Sequence, residues 1–209
     1  LPTKVFSPYL TITFMCDIYC VTNRRLCKTD FFQRINEIAE CKPSGIILRE
    51  KDISESDYEK TAKRVMEICG RHNVKCILHN FYNTAKKLGA ESIHLPLHIL
   101  RTLSESERAE FSETGASCHS ESDAAEAEKL GCSYIAAGHI FATDCKKGVM
   151  PRGLDFLHNV CESVNIPVLA IGGINADNCR SAVNSGAAGV CIMSGFMCCN
   201  DTKKYYEQI

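Results

Sequence analysis

The sequence predicts a single-domain (β/α)8 barrel of the TIM type, and three observations carry that expectation. Short apolar runs without helical period alternate with helix-like stretches eight times along the chain. Regular alternation of this kind argues a parallel sheet, and eight units argue closure. Near the end, residues 166–196 read IPVLAIGGINADNCRSAVNSGAAGVCIMSGF, which parses as strand, Gly-Gly, helix, strand, Ser-Gly. Gly-Ala or Gly-Cys pairs at 89–90, 131–132 and 186–187 precede further strands, as expected where a helix ends and the chain turns back. At 209 residues the chain holds one sizeable core but is short for a barrel, which usually needs about 250.

Taken in order, Met15 looks like a natural start. Residues 1–14 read as an extension of unknown role, upstream or introduced by cloning, with neither the charged start nor the cleavage signal of a secretory peptide. The barrel is assigned to 15–209. The first strand is expected at 17–22, and its helix at 30–41 sets Phe31, Ile35 and Ile38 on one face. Strand two follows at 45–49, then an amphipathic helix at 54–69. Strand three falls at 75–78, a short helix at 84–88, strand four at 92–95 and a polar helix-like stretch at 103–111. Strand five, at 114–118, is weakly signalled because it is polar and contains Gly115. A helix at 121–130 follows, with Ser120 and Asp123 spaced as a cap. Strand six is expected at 133–141, a polar loop at 142–152 and a helix at 154–164. The run 167–171 has the unbroken apolar character of a strand buried on both faces. Asn175 or Asp177 is expected to cap the next helix, which runs through Ser185. Strand eight spans 189–193, and a final helix occupies 203–208.

Composition narrows the function. The net charge of −1 gives no electrostatic case for nucleic acid or an anionic membrane, and no apolar run reaches the roughly 20 residues that span a bilayer. Fourteen cysteines invite a disulfide or metal reading. There is no CxxC pair, however, and most cysteines sit inside apolar segments, where Cys acts as a small hydrophobe. The expectation is free thiols in a reducing cytosol, hence a cytoplasmic protein. The turns Gly172-Gly173 and Met193-Ser194-Gly195 follow two consecutive strands. Unhindered backbone N–H groups at one sheet edge suit a phosphate, which barrels commonly hold near the end of the chain. A Cβ at Gly173 is expected to occupy the anion's approach.

Several segments recur in a known order: Leu48-Arg49-Glu50-Lys51-Asp52, His94-Leu95, His119-Ser120, Gly138–Phe141, Ala170–Ile174 and Met193-Ser194-Gly195. Together they resemble the thiamine phosphate synthase superfamily over essentially Met15 to the C-terminus. The resemblance implies a (β/α)8 barrel with its site at the C-terminal ends of the strands. The synthases join a pyrimidine pyrophosphate to a thiazole phosphate with Mg²⁺, held by carboxylates in an Asn-Asp pair after strand three and a Gln-Glu-Asp run after strand four. Here those places read His79-Asn80 and Leu97-His98-Ile99. Neither offers a carboxylate, and Mg²⁺ prefers hard anionic oxygen. The loop Gly138–Gly148, GHIFATDCKKG, is instead similar to the TenI-type branch, whose members are thiazole tautomerases.

That branch implies conversion of a non-aromatic carboxythiazole phosphate to its aromatic isomer, with no metal or redox cofactor. Histidine suits such proton transfer because its ordinary pKa is near 6.5. Of seven histidines, His119 matches the tautomerase's catalytic residue. His139 and His79 are secondary candidates, His139 as a substrate contact. His94 reads as a satisfied barrel-lining residue, and His72, His98 and His158 as surface or loop positions. Arg49 and Lys51 bind pyrophosphate in the synthases; here they either meet an anionic end of the ligand or form ion pairs at the mouth. Lys146 and Thr143, from the loop after strand six, are candidate substrate contacts on a lid. The expected partner is a small phosphorylated thiazole, with room for a homodimer. The rivals are an Mg²⁺-dependent synthase, a non-catalytic regulator, and a barrel acting on another phosphorylated heterocycle.

Overall fold

The computed structural model describes residues 16–146 and 148–209, so the extension assigned to 1–14 lies outside the described residues. Eight strands close into a ring in chain order: β1 (Asp17–Val21), β2 (Gly45–Leu48), β3 (Cys76–His79), β4 (Ser92–Pro96), β5 (Glu113–Cys118), β6 (Tyr134–Gly138), β7 (Val168–Ile171) and β8 (Gly189–Ile192). Each is parallel to its neighbours, and β1 pairs with β8 to complete the barrel. All C-terminal strand ends therefore open on one face.

Residues alternate between two apolar layers, as the period of a strand requires. Ile46 and Leu48 of β2 pack outward under the helices, whereas Ile47 joins Val21, Ile77, Leu169 and Cys191 inside the barrel. The inner layer also holds Tyr19 and Tyr134, stacked with centroids 6.2 Å apart. The weak signal of β5 has its reason here. A Cβ on Gly115 would overlap the Tyr134 ring, so this glycine makes room for an aromatic side chain from β6.

The helices form the outer layer. α1 (Phe31–Glu40) starts at Asp30, whose carboxylate accepts from Gln33 N, and it buries Ile35 and Ile38. α2 (Glu55–His72) is capped by Ser54 and runs three residues past the expected end, stopping before Asn73 in the left-handed region at φ 54°. Asparagine tolerates that conformation, so the stop needs no glycine. α3 is Tyr82–Lys87. The stretch expected at 103–111 contains α5 (Glu105–Arg108), with a full capping box between Ser104 and Glu107, while α4 (Leu97–Leu100) directly follows β4. α6 (Glu121–Lys129) carries the predicted Ser120 cap, and α7 spans Gly153–Ser163.

Two expectations are corrected near the C-terminus. α8 (Cys179–Asn184) is capped by neither Asn175 nor Asp177. The Asn175 side chain accepts from Asp177 N, and Asn178 Oδ1 accepts from Asn175 N, each at 2.9 Å. These local bonds hold a turn that delays the helix. Ser194-Gly195 does not merely close β8; it begins α9 (Ser194–Cys198), which is followed by α10 (Thr202–Tyr206). β6 also stops at Gly138 rather than 141. Beyond it, Ile140 N and Phe141 N still bond to the carbonyls of Ile171 and Gly172, at 3.0 and 2.9 Å. All fourteen cysteines are free thiols.

A candidate active site at the barrel mouth

The C-terminal strand ends enclose a cavity of about 380 Å³. The structure brings Arg49, Lys51, His119, His139, Thr143, Lys146, Gly172, Gly173, Met193 and Ser194 to its wall. Of the residues singled out from the sequence, Gly195 alone is absent from that wall. It sits in α9, where a Cβ would run into the Tyr205 phenol, so its smallness serves the packing of α10.

The run after β2 shows how alternation sorts charge. Glu50 turns inward to the β1 side, where it is buried and accepts from Thr22 Oγ1 at 2.7 Å and from Arg24 N at 3.1 Å. Asp52 pairs with Arg24 at 2.6 Å and Arg25 at 2.5 Å. Arg49 and Lys51 line the cavity instead. The alternative left open from sequence is thereby narrowed, because neither forms an ion pair among the described residues. Burial holds the Lys51 ammonium below its ordinary pKa, and the neighbouring Arg49 and Lys146 add to the effect. Three cations near one another at a cavity wall favour an anionic ligand.

The histidines divide by environment. His94 is buried within β4, with Nδ1 3.0 Å from Tyr134 Oη and Nε2 2.9 Å from Ser117 Oγ. Burial first, then Lys51 and Arg49, pushes its pKa down to about 4. His79 stacks on it with centroids 5.8 Å apart. It is likewise held neutral, chiefly by burial and then by His94 and the same two cations. It ends β3 rather than following it. His139 lies beyond β6, buried, with Nε2 3.4 Å from the Val149 carbonyl and Nδ1 without a partner among the described residues. His119 sits at the exposed rim just after β5. Its Nδ1 lies 2.8 Å from the Gly138 carbonyl. A carbonyl only accepts, so Nδ1 carries the proton and neutral His119 keeps a bare Nε2.

The β7 turn needs its glycines for a steric reason. Gly172 and Gly173 have φ of 100° and 69°. A Cβ on Gly172 would overlap His139, and one on Gly173 would overlap the Ala142 carbonyl and lie 2.8 Å from Phe141 Cβ. The added carbon would thus strike the chain leaving β6. That chain continues into the loop bearing Thr143 and Lys146, where Thr143 Oγ1 accepts from Cys145 N at 3.4 Å and Thr143 O from Lys146 N at 3.1 Å. Val149 and Met150 of the same loop are exposed, Met150 at 85%.

Ser117, Cys145 and Ile174, given no site role from the sequence, also line the wall, as does His98, which is exposed as expected of a surface position yet borders the cavity. Ser117 could have been found, since it lies two residues before His119 on a strand and so shares its face. His98 is on α4, whose position against the mouth no local pattern discloses. His72, on α2, instead reaches Asn36 Oδ1 at 3.0 Å.

The Mg²⁺ set of the synthases does not fit these residues. Among the described residues, no group of three or more His, Cys, Asp or Glu is placed to hold a metal ion. Glu50 and Asp52, the carboxylates nearest the cationic run in sequence, are engaged by Arg24 and Arg25.

Fold and site together define a (β/α)8 barrel with a cationic, histidine-lined mouth. The family model described as thiamine monophosphate synthase matches residues 18–196. A thiamine-phosphate synthase of Fusobacterium nucleatum is 34% identical over 200 residues, covering 93% of this chain and 95% of that one. One from Clostridium tetani is 29% identical over 200 residues, with 93% and 94% coverage. The solved thiamine phosphate pyrophosphorylase of Pyrococcus furiosus superposes with a TM-score of 0.80 at 28% identity, covering 92% of this chain and 93% of that one. The chain belongs to the thiamine monophosphate synthase family. Its relatives' names speak for coupling, not for the isomerisation expected from the TenI-type resemblance. Among the described residues no helix is long and apolar enough to cross a membrane.

Proposed function

We propose that the mouth acts on a phosphorylated thiazole in thiamine assembly, and that its own residues are arranged for proton transfer by His119. The phosphate would sit between the β7 turn and Ser194, where glycine and a helix start leave backbone N–H groups without intrahelical acceptors. The carboxylate would meet Arg49, Lys51 and Lys146. One observation carries the chemistry. With Nδ1–H committed to Gly138 O at 2.8 Å, His119 offers Nε2 as a base at the rim. Nε2 takes the proton from the ring carbon beside the carboxylate, the electron pair moves through the ring to the exocyclic carbon, and the imidazolium so formed returns a proton there. The cations oppose the negative charge that builds up between the two transfers.

The second reading is coupling of a thiazole phosphate to a pyrimidine pyrophosphate, and the relatives' names favour it over the first. Arg49, Lys51 and Lys146 would hold a pyrophosphate as readily as a carboxylate. Against it stands the missing carboxylate set, so no step through Mg²⁺ is assigned to this chain. One experiment separates the two. Pure protein is given the non-aromatic carboxythiazole phosphate in one arm, with aromatisation followed by absorbance. In the other it receives both coupling substrates with Mg²⁺. Aromatisation alone supports proton transfer; thiamine phosphate in the second arm, with none in the first, replaces that reading by coupling.

A further inference from the structure

A line of hydrogen-bonded side chains runs from the barrel interior to the cavity wall, and neither reaction above uses it. The Tyr134 ring lies inside the barrel against Tyr19. Its hydroxyl is 3.0 Å from His94 Nδ1, and His94 Nε2 is 2.9 Å from Ser117 Oγ. Ser117 lines the cavity.

The direction of these bonds follows from the phenol. Burial raises its pKa well above the ordinary value, so it keeps its proton. His94 Nδ1 is the one hydrogen-bond partner of that oxygen among the described residues. A buried O–H that fails to donate costs about 1–3 kcal/mol, so Tyr134 donates to Nδ1. In neutral His94 the proton is then on Nε2, which donates to Ser117 Oγ. The serine oxygen is occupied as an acceptor, and its own hydrogen remains for another partner.

We propose that Tyr134 is a positioning residue that acts through His94 to present the Ser117 hydroxyl as a donor to an acceptor atom of the bound ligand, such as an anionic oxygen. The proposal rests on the mouth being the ligand site and is independent of which reaction occurs there. Without the phenol, His94 can place its proton on Nδ1 and take the serine hydrogen for itself, which turns the donor away from the ligand. The relay thus selects ligands that offer an acceptor at that wall.

The test begins with the ligand-free protein carrying nitrogen-15 histidine. Nuclear magnetic resonance at neutral pH should show His94 protonated on Nε2 alone, and Tyr134→Phe should lose that preference. Calorimetry with a thiazole phosphate follows. Ser117→Ala and Tyr134→Phe should each weaken binding about three- to tenfold, and the double variant should bind no more weakly than Ser117→Ala, because the two act in series. A wild-type His94 protonated on Nδ1 overturns the relay, as do additive losses or Tyr134→Phe binding at wild-type strength. If Tyr134→Phe does not fold, the wild-type spectrum and Ser117→Ala decide: the wrong tautomer or undiminished binding overturns the proposal. A wild type with the predicted tautomer that binds no thiazole phosphate overturns the ligand reading of the mouth, and with it the role given to Ser117.

Discussion

At the scale of single residues, His119 and His94 show how one side-chain type is given two tasks. The neutral ring of His119 presents a bare Nε2 at an exposed rim because the Gly138 carbonyl fixes its other nitrogen. His119→Gln retains size and polarity but cannot carry a proton, so kcat for aromatisation should fall roughly 10²–10⁴-fold with little change in KM. Steady-state kinetics on the carboxythiazole phosphate checks this, and near wild-type turnover would refute the assignment. His94, by contrast, is kept neutral down to about pH 4, whereas an unfolded histidine titrates near 6.5. Between those values the unfolded chain binds a proton that the folded one refuses, so stability is lost as pH falls through this window. The loss attributable to His94 is on the order of 3 kcal/mol, and His79 acts in the same direction. Urea unfolding at about pH 7 and pH 5 should show the decline, and His94→Asn should flatten it; an unchanged slope would show that the imidazole is not the cause.

Among the elements, the β7 turn and the loop after β6 depend on each other. Gly173 is a glycine because the chain at Phe141 and Ala142 passes over it at positive φ. Gly173→Ala should therefore lower stability by about 1–3 kcal/mol and displace the Thr143–Lys146 segment. Denaturation alone would detect the first effect in ligand-free protein, where a purely anion-blocking Cβ would leave stability unchanged. The loop supplies Lys146 to the cationic wall. Lys146→Ala should weaken the thiazole phosphate roughly tenfold, as loss of a hydrogen bond to a charged group does. Raising the salt should narrow the gap between variant and wild type, because exposed charges are screened. In crystals grown with phosphate, the anion should lie between Gly172-Gly173 and Ser194; a site elsewhere, with this space closed by side chains, would count against the anchor.

For the molecule as a whole, the barrel's interior limits what the mouth can hold. Two tyrosine rings fill the centre beneath the cavity, and Gly45 and Gly115 sit against them. Gly115→Val should drive a branched side chain into Tyr134 and cost about 1–3 kcal/mol, measurable as a lower urea midpoint. Pure protein should not form thiamine phosphate with Mg²⁺, since His79-Asn80 at the end of β3 and Leu97-His98-Ile99 after β4 offer no carboxylate. Robust metal-dependent coupling would overturn this and mean that other carboxylates, with Glu50 and Asp52 the first to test, hold the metal.

The sequence by itself determined the (β/α)8 class, because period and strand length are local properties that each segment carries alone. The family resemblance and the strand order together also put His119, Arg49, Lys51, Gly172, Gly173 and Ser194 at C-terminal strand ends, and all six line the cavity. Only the tertiary structure decided what those residues touch. That Glu50 turns to Arg24 while Arg49 and Lys51 form no ion pair among the described residues depends on β1 lying beside β2. That Gly173 answers to Phe141 and Gly195 to Tyr205 depends on chain crossings between segments far apart in sequence. His94 became part of a line ending at Ser117 because three adjacent strands, β4, β5 and β6, set His94, Gly115 and Tyr134 in register, with Ser117 two residues further along β5. Hydrogen-bond partners and steric neighbours are set by packing between strands, and no periodicity along one strand encodes them.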